Sequence, residues 1–492
     1  IMWSRFSKLP LLISIPGVFV SMFLIPAVYA FGVGALIEGR TFLYAFVLGL
    51  FLIGFLGVAI ETNQLVNHRY NQLWSLVAFF LGLPLFLAIP LNELSQVGSF
   101  LDAYLDMVSV ITTTGLPIFE IEYSNDTLLI WRVFIGWASG FMMWVFAWTV
   151  FAPLNLGGFE HLQGHSENLI ENQIKASVRQ QNSAAKFWRE AVRLAPVYLF
   201  ITFVAAALIK FVGNGLLFSI LSAMTAMATF GIKIPGAASD AWWYEIILMV
   251  VMCFALSRAL FTRTLLKNKS LRKDPELRLA IILIVIVFLA FLFLHWSNTM
   301  EFIELLQNSW GVLFTSISFL TTTGFVSEYM PFKDGKLGTG AFLMAALATF
   351  GGGVATTAGG VKLLRIFILV SHSKSEIDRL IIPSRVVSGQ NGGQSGGFNN
   401  AMLACVFFML FLITLAAILL GLALCGISVQ RSLQLTLASL TNTGPLVTVM
   451  SAGEVVILDL PVIAKILLIF SMVFGRLEVL ALLALLNPKI YR

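Results

Sequence analysis

Charge is what this sequence has least of: aspartate, glutamate, lysine and arginine make up 11% of its 492 residues, against 58% hydrophobic. A soluble domain carries roughly a quarter charged residues, so the shortage excludes a water-soluble globule. Cysteine is almost missing as well. Cys253, Cys405 and Cys425 lie inside apolar runs and form no CxxC pair, so they read as small buried hydrophobes. No G-x-x-x-x-G-K-[ST] loop and no G-x-G-x-x-G fingerprint occurs, which removes nucleotide chemistry from the expectation. Among the few histidines, His161 and His165 beside Glu160 have the i, i+4 spacing of a metal pair but no convincing further ligand, and His68 and His295 are isolated. Those absences leave no cofactor and no enzyme active site to expect. The net charge of +6 does not point to nucleic acid, because the lysines and arginines are concentrated in a few connecting segments.

What the chain has is apolar runs long enough to cross a bilayer, which takes about 20 helical residues. Leu11–Ile37 follows Arg5 and Lys8 but is too long for a signal-peptide core, so it is read as a membrane helix, as is Thr41–Ile60. A unit of spanning helix, short helix, Thr/Gly segment and spanning helix then recurs four times, with degenerate sequence. The first unit reads Leu73–Leu91, Ser99–Ile111, Thr112–Gly115 and Thr127–Ala152. The second reads Arg193–Val212, Leu216–Ala228, Thr229–Gly231 and Ala241–Thr262. The third reads Leu279–Trp296, Trp310–Leu320, Thr321–Gly324 and Gly340–Val370, and the fourth Ala401–Leu424, Ser432–Leu440, Thr441–Gly444 and Pro461–Leu486. The Gly, Ser, Asn and Gln in Ser388–Asn400 read as a flexible linker before the last unit.

Charge orients these units. Arg258, Arg263, Lys267, Lys269, Arg272, Lys273 and Arg278 join units two and three; Lys175, Lys186 and Arg189 join one and two; Lys362, Arg365, Lys374, Arg379 and Arg385 follow the third segment. By the positive-inside rule these are cytoplasmic, as are both termini, and the Thr/Gly segments open outward. Glu120, Glu122, Asp126, Glu328, Asp334, Glu454 and Asp459 lie on the outer side, where they either concentrate cations at a mouth or only keep the surface solvated.

The Thr/Gly segments carry the chemistry. A short helix that stops inside the membrane leaves carbonyls without partners, a cost of several kcal/mol each in hydrocarbon, so that backbone must face water or ions. Free carbonyls and threonine hydroxyls can replace a cation's hydration shell, and glycine supplies the positive φ that turns successive carbonyls to one axis. Thr-Thr-Thr-Gly (112–115), Thr-Thr-Thr-Gly (321–324) and Thr-Asn-Thr-Gly (441–444) follow this logic. Ala-Thr-Phe-Gly (228–231) is the weak copy, with Phe230 before its glycine and Lys233 soon after; its carbonyls serve if the ring points away from the axis. The candidate cation ligands are therefore Thr113, Thr114 and Gly115, Thr229, Phe230 and Gly231, Thr322, Thr323 and Gly324, and Asn442, Thr443 and Gly444. The fold class expected is an all-α membrane protein with four pseudo-fourfold helix, pore helix, filter, helix repeats around one pore, plus two N-terminal transmembrane helices. Its divisions are 1–70, 71–190, 191–275, 276–390 and 391–492.

At these residues the chain resembles the TrkH-type pore subunits of the Trk/Ktr/HKT superfamily of potassium transporters, over essentially its whole length. Trp131-Arg132 followed by Trp137 is similar to the second helix of that family's first unit, with Ala138-Ser139-Gly140 in place of the usual glycine pair. The run from Phe350 to Arg365 resembles the family's intramembrane gating loop. Gly351, Gly352, Gly353, Gly359 and Gly360, with Thr356 and Thr357, break a helix where each glycine costs about 1 kcal/mol, and a hinge or close packing of small residues both account for them. Phe474-Gly475-Arg476-Leu477-Glu478 resembles the family's Gly-Arg-Leu-Glu; an arginine at membrane depth is expensive and usually faces a pore or a partner, so Arg476 is expected to be a positive barrier below the filter, with an ion pair to Glu478 as the alternative. The resemblance implies K+ as the transported ion, a plasma (inner) membrane location in the lipid bilayer, a homodimer, and control by a cytoplasmic ring of nucleotide-binding subunits. A sodium-permeable (Na+) or weakly selective cation pore, or an ion-coupled secondary transporter, stays open at this point. The last would need midplane carboxylates, of which the spans offer few.

Overall fold

The computed structural model describes residues 10–61, 74–95, 98–118, 125–152, 183–236, 241–257, 274–295, 302–330, 339–381, 394–451 and 457–477. The helices agree with the expected class, all-α and rich in apolar segments; seven helices among the described residues are long and apolar enough to cross a membrane. The N-terminal run is α1 (Leu11–Ser21), α2 (Leu24–Val33) and α3 (Leu36–Glu61). The first expected span is thus divided at Met22–Phe23, because Pro26 has no N–H to give the Met22 carbonyl. Gly34, at φ +85°, ends α2.

The four units follow in order. Unit one holds α4 (Trp74–Ser95), α5 (Phe100–Ile111) and α6 (Asp126–Phe151). Unit two holds α7 (Ser183–Phe211), α8 (Leu216–Met227) and α9 (Ala241–Cys253), the last extended by one 3-10 turn to Leu256. Unit three holds α10 (Pro275–His295), α11 (Phe302–Leu320), α12 (Thr339–Phe350) and α13 (Leu363–Ile381). Unit four holds α14 (Gln394–Leu424), α15 (Val429–Leu440), α16 (Leu446–Ser451) and α17 (Val462–Leu477). Other stretches differ from expectation as well. The helix begun at Ala241 does not run to Thr262 but stops at Leu256, and residues 394–400 of the expected linker are the first turns of α14.

The short helices knit the units into a cycle. α8 packs on α6 of unit one, α11 on α9 of unit two, α15 touches α12 of unit three, and α5 packs on α17 of unit four. Ion pairs fix the first of these helices. Asp106 on α5 meets Arg132 on α6 at 2.7 Å, both side chains at most 2% exposed, and Asp102 on α5 meets Lys465 on α17 at 2.6 Å. Lys465 also donates to the Leu458 carbonyl at 2.8 Å, and the Ser99 N–H caps α5 through Asp102 Oδ2, also at 2.8 Å. Behind unit one, Phe23 stacks on Trp131 with centroids 4.4 Å apart, and Trp188 donates to Ser14 at 3.1 Å, which ties the N-terminal helices to α6 and α7.

Candidate functional site

Each short helix ends in the same way. In α5 the Thr113 N–H bonds the Val110 carbonyl at 3.0 Å and the Thr114 N–H the Ser109 carbonyl at 2.8 Å. The same pair recurs as Thr229 to Ala226 and Phe230 to Thr225, Thr322 to Phe319 and Thr323 to Ser318, and Asn442 to Ser439 and Thr443 to Ala438. This is the Schellman arrangement, whose left-handed residue is usually glycine. Here it is Thr113, Thr229, Thr322 and Asn442, at φ 53°, 52°, 57° and 53°. A left-handed non-glycine residue costs roughly 1–2 kcal/mol, and for β-branched threonine it is a true outlier. Strain repeated at four equivalent positions points to side chains that are needed there.

The glycines close the ring. A Cβ on Gly115 would strike the Phe230 carbonyl oxygen, one on Gly231 the Thr323 carbonyl oxygen, and one on Gly444 the backbone of Gly115; on Gly324 it would meet Pro445 Cβ at 3.0 Å. Segment one therefore abuts two, two abuts three, three abuts four and four abuts one. Gly115, Gly231 and Gly324 have positive φ, as expected, whereas Gly444 does not. Pro445 follows it and restricts its backbone. Instead, the Gly444 N–H donates to the Thr114 carbonyl at 2.6 Å, and the chain turns straight into α16.

Third-position side chains turn back. Thr114 Oγ1 lies 2.8 Å from Thr112 Oγ1, and Thr323 Oγ1 3.0 Å from Thr321 Oγ1. Phe230 is fully buried with its ring against Gly136 on α6, so the bulk that marks the weak copy is directed into the protein. Second-position side chains go elsewhere. The Thr229 hydroxyl donates to the Thr357 carbonyl at 3.0 Å, Thr322 Oγ1 accepts from the Gly359 N–H at 2.8 Å, and the Asn442 amide donates to Thr114 Oγ1 at 2.9 Å and to the Met472 carbonyl at 3.0 Å. The Thr113 hydroxyl is buried with no hydrogen-bond partner among the described residues.

Residues 351–362, between α12 and α13, thus lie directly on three of the four segments. The neck of this loop is closed by bonds from the Val361, Lys362 and Leu363 N–H groups to the carbonyls of Thr349, Phe350 and Gly352, at 3.0, 3.0 and 3.1 Å. Positive φ at Gly351 (70°) and Gly360 (77°) makes the neck. Gly359 is a close approach, since a Cβ there would strike the Thr441 carbonyl and stand 3.1 Å from Asn442 Cβ. The loop is irregular, and its glycines are contact points. Its other shoulder rests on units two and three. The Gly353 N–H donates to the Ala255 carbonyl at 3.1 Å, and the Val354 N–H to Glu276 Oε1 at 2.8 Å. Thr356 bonds the Gly353 carbonyl at 2.8 Å, and Lys362 Nζ bonds the Ala358 carbonyl.

Beside the loop, Arg476 on α17 is 3% exposed, and its Nε and Nη2 have no hydrogen-bond partner among the described residues. It lines a cavity of ≈ 20 Å³ together with Thr356, Ala358, Gly359, Lys362 and, from α6, Met143 and Ala147. Glu478, like Glu160, His161, His165 and His68, lies outside the described residues. No cluster of three His, Cys, Asp or Glu side chains able to hold a metal occurs among the described residues.

Sequence reading missed the buried acids that hold this assembly. Besides Asp102 and Asp106, Glu245 on α9 accepts from Trp310 at 2.7 Å, Ser327 at 2.9 Å and the Glu328 N–H at 3.1 Å, pinning the exit of segment three. Ser99-x-x-Asp102 was readable as a helix start, and so was Asp274-Pro275-Glu276. The other partners are too far apart in sequence to signal each other.

Comparison with known proteins identifies relatives of this chain. The family model for TrkH, described as a cation transport protein, matches residues 241–489. TrkI, a Trk system potassium uptake protein of Halomonas elongata, is 29% identical over 85% of this chain and 82% of its own length. TrkH, a Trk system potassium uptake protein of Vibrio parahaemolyticus, is 28% identical over 80% of each. The crystal structure of the potassium transporter TrkH from Vibrio parahaemolyticus superposes with a TM-score of 0.81 at 24% identity, over 99% of this chain and 100% of that one, a likeness of fold. With its second half matched by the family model, and its whole length by the fold, the chain belongs to the TrkH family of cation transport proteins.

Proposed function

We propose that this chain takes up potassium, passing the ion through the ring formed by Thr112–Gly115, Ala228–Gly231, Thr321–Gly324 and Thr441–Gly444. The observation that carries the reading is the fourfold helix cap, with its strained residue at the same place in every segment and each glycine against the next segment. Carbonyls and hydroxyls in such a ring replace water around a dehydrated monovalent cation. The names of the relatives, Trk system potassium uptake proteins, favour K+ over other cations.

In this reading the loop 351–362 is the gate, docked against the ring by Thr229, Thr322 and Gly359, and Arg476 is a positive barrier beside it. An unpaired arginine in a small cavity repels a cation through a low-dielectric wall. The buried acids Asp102, Asp106, Glu245 and Glu276 are each held by named partners, which speaks against a coupling role for them in ion symport. The basic segments face the cytoplasm of a cell with this chain in its plasma membrane, both termini are cytoplasmic, and there they receive a regulatory ring of nucleotide-binding subunits on a dimer of the chain.

The test is growth of a host lacking potassium uptake on limiting K+, paired with K+ and Na+ flux in liposomes holding the purified chain. Complementation with K+ flux is the expected result. Sodium flux without complementation would reverse the choice of ion.

A further inference from the structure

Segment two is the odd copy, and the way it is seated names a residue outside the ring. Its third position cannot copy units one and three, where the threonine hydroxyl turns back onto the first threonine, because it is Phe230, which has no hydroxyl, and the first position is Ala228. Instead the Phe230 ring lies against α6 of the preceding unit, where Gly136 leaves room for it. A Cβ at Gly136 would stand 2.7 Å from Phe230 Cδ1 and 2.8 Å from Cε1. Four residues on, and so on the same helix face, a Cβ at Gly140 would stand 2.9 Å from Ala228 Cβ. Between them the Ser139 hydroxyl bonds the Ile111 carbonyl at the end of α5. One face of α6 therefore seats segment two while holding the end of the helix that leads into segment one.

The other side of Phe230 is fixed as well. Its carbonyl oxygen lies where a Cβ on Gly115 would be, so the backbone of segment two is caught between the ring of its own phenylalanine behind and segment one in front. Carbon atoms pack best at about 3.5–4.0 Å, so adding a methyl at Gly136 requires the ring to retreat by about 0.8 Å or more. A ring with no exposure has nowhere to go, so the displacement passes to the Phe230 carbonyl.

We infer that Gly136 is a specificity-determining position: with Phe230 it forms a matched pair that sets the placement of the segment-two carbonyls and hence the discrimination between potassium and sodium. This rests on the ion-selective ring proposed above. Gly136 acts through Phe230 and is a positioning residue.

The experiment compares the parent, Gly136→Ala, Phe230→Thr and the double variant as purified full-length chains in liposomes, reading the K+/Na+ flux ratio and the thermal midpoint. Gly136→Ala is expected to lower the ratio about tenfold, and adding Phe230→Thr to restore most of it, because threonine vacates the space that the new methyl claims. A double variant as impaired as Gly136→Ala, or worse, overturns the pairing, as does a parental ratio in Gly136→Ala alone. Should Gly136→Ala fail to give monodisperse protein, the double variant must recover it, and failure to do so counts equally against the pair. A parent that does not discriminate between the two ions sinks the ring reading instead, and leaves recovery of the thermal midpoint as the separate measure of the pair.

Discussion

Replacing Glu276 by alanine removes the acceptor of the Val354 N–H without touching any residue of the four Thr/Gly segments. Glu276 is 3% exposed and follows Asp274 and Pro275 at the start of α10, where the helix N-terminus favours an anion. Asp274 Oδ1 in turn accepts from the Glu276 N–H at 3.1 Å, and Ser257, at the end of unit two, bonds Asp274 Oδ2. The loop shoulder at Gly353–Val354 is thus carried by the junction of units two and three, while its far side, Thr357 and Gly359, is carried by segments two and three. A hydrogen bond to a charged acceptor contributes about 1.5–3 kcal/mol, and a docked loop that loses it keeps a buried, unpaired N–H. An undocked loop, whose N–H reaches water, loses little. At about 1.4 kcal/mol per factor of ten, the docked population falls roughly ten- to hundredfold relative to the undocked one.

The assay is K+ flux from liposomes, or open probability in a planar bilayer, for the parent, Glu276→Ala and Glu276→Gln. Alanine should raise flux within that range, and glutamine, which keeps an oxygen acceptor worth about 0.5–1.5 kcal/mol, should raise it roughly two- to tenfold less than alanine does. Parental flux in a folded Glu276→Ala protein would falsify the idea that this bond holds the loop down. Equal rises in both variants would refute the reasoning in another way, by assigning the effect to charge and not to the acceptor.

Arg476→Ala should also raise flux. Two unit charges about 5 Å apart repel by about 3 kcal/mol at an effective dielectric of 20, which bounds the rise at about a hundredfold, and Arg476→Lys should preserve the low value; unchanged flux in a correctly inserted Arg476→Ala protein counts against a pore role. Asp106→Ala leaves Arg132 buried and unpaired, at a cost of about 3–5 kcal/mol. The thermal midpoint in detergent should fall sharply, and Asp106→Leu with Arg132→Leu should recover most of it. A single variant as stable as the parent would show that the pair does not hold α5 on α6.

The Thr/Gly motifs were legible because they repeat, and repetition at matched places in a degenerate unit is visible without any structure. The loop was legible because five glycines in one stretch forbid a helix. Two things were not. The length of α9 depends on what uses its last carbonyls: Ala255 accepts from Gly353, nearly a hundred residues later, and an apolar run to Thr262 carries no sign of that. The buried acids were hidden for a related reason, since Asp106 finds Arg132 only when α6 folds back on α5, and Asp102 finds Lys465 only once the cycle of units has closed. Phe230 was legible only in part. Its bulk marked segment two as the weak copy, serviceable if the ring points away from the axis, but the glycine that takes the bulk belongs to another unit and carries no sign of it in the sequence.

A loop supplied by one unit cannot meet four equivalent segments equally, and the second-position residues show where the symmetry gives way. Thr229 donates to the loop, Thr322 accepts from it, and Gly359 sits against Asn442, whereas the Thr113 hydroxyl has no partner among the described residues. Segment four is the one in which the strained threonine is replaced, and its asparagine does two jobs that a hydroxyl on one atom cannot. Its amide reaches Thr114 of the adjoining segment and the Met472 carbonyl on the helix that carries Arg476. The ring, the loop and the arginine therefore share a single layer of contacts. Any movement that frees Gly359 from Thr322 also uncovers Asn442, and through it the turn of α17 that precedes Arg476. In the proposed gating, freeing the loop breaks hydrogen bonds worth about 0.5–1.5 kcal/mol each and also uncovers Val354 and Ala355, which belong to the buried core, so the cost of opening is set by both.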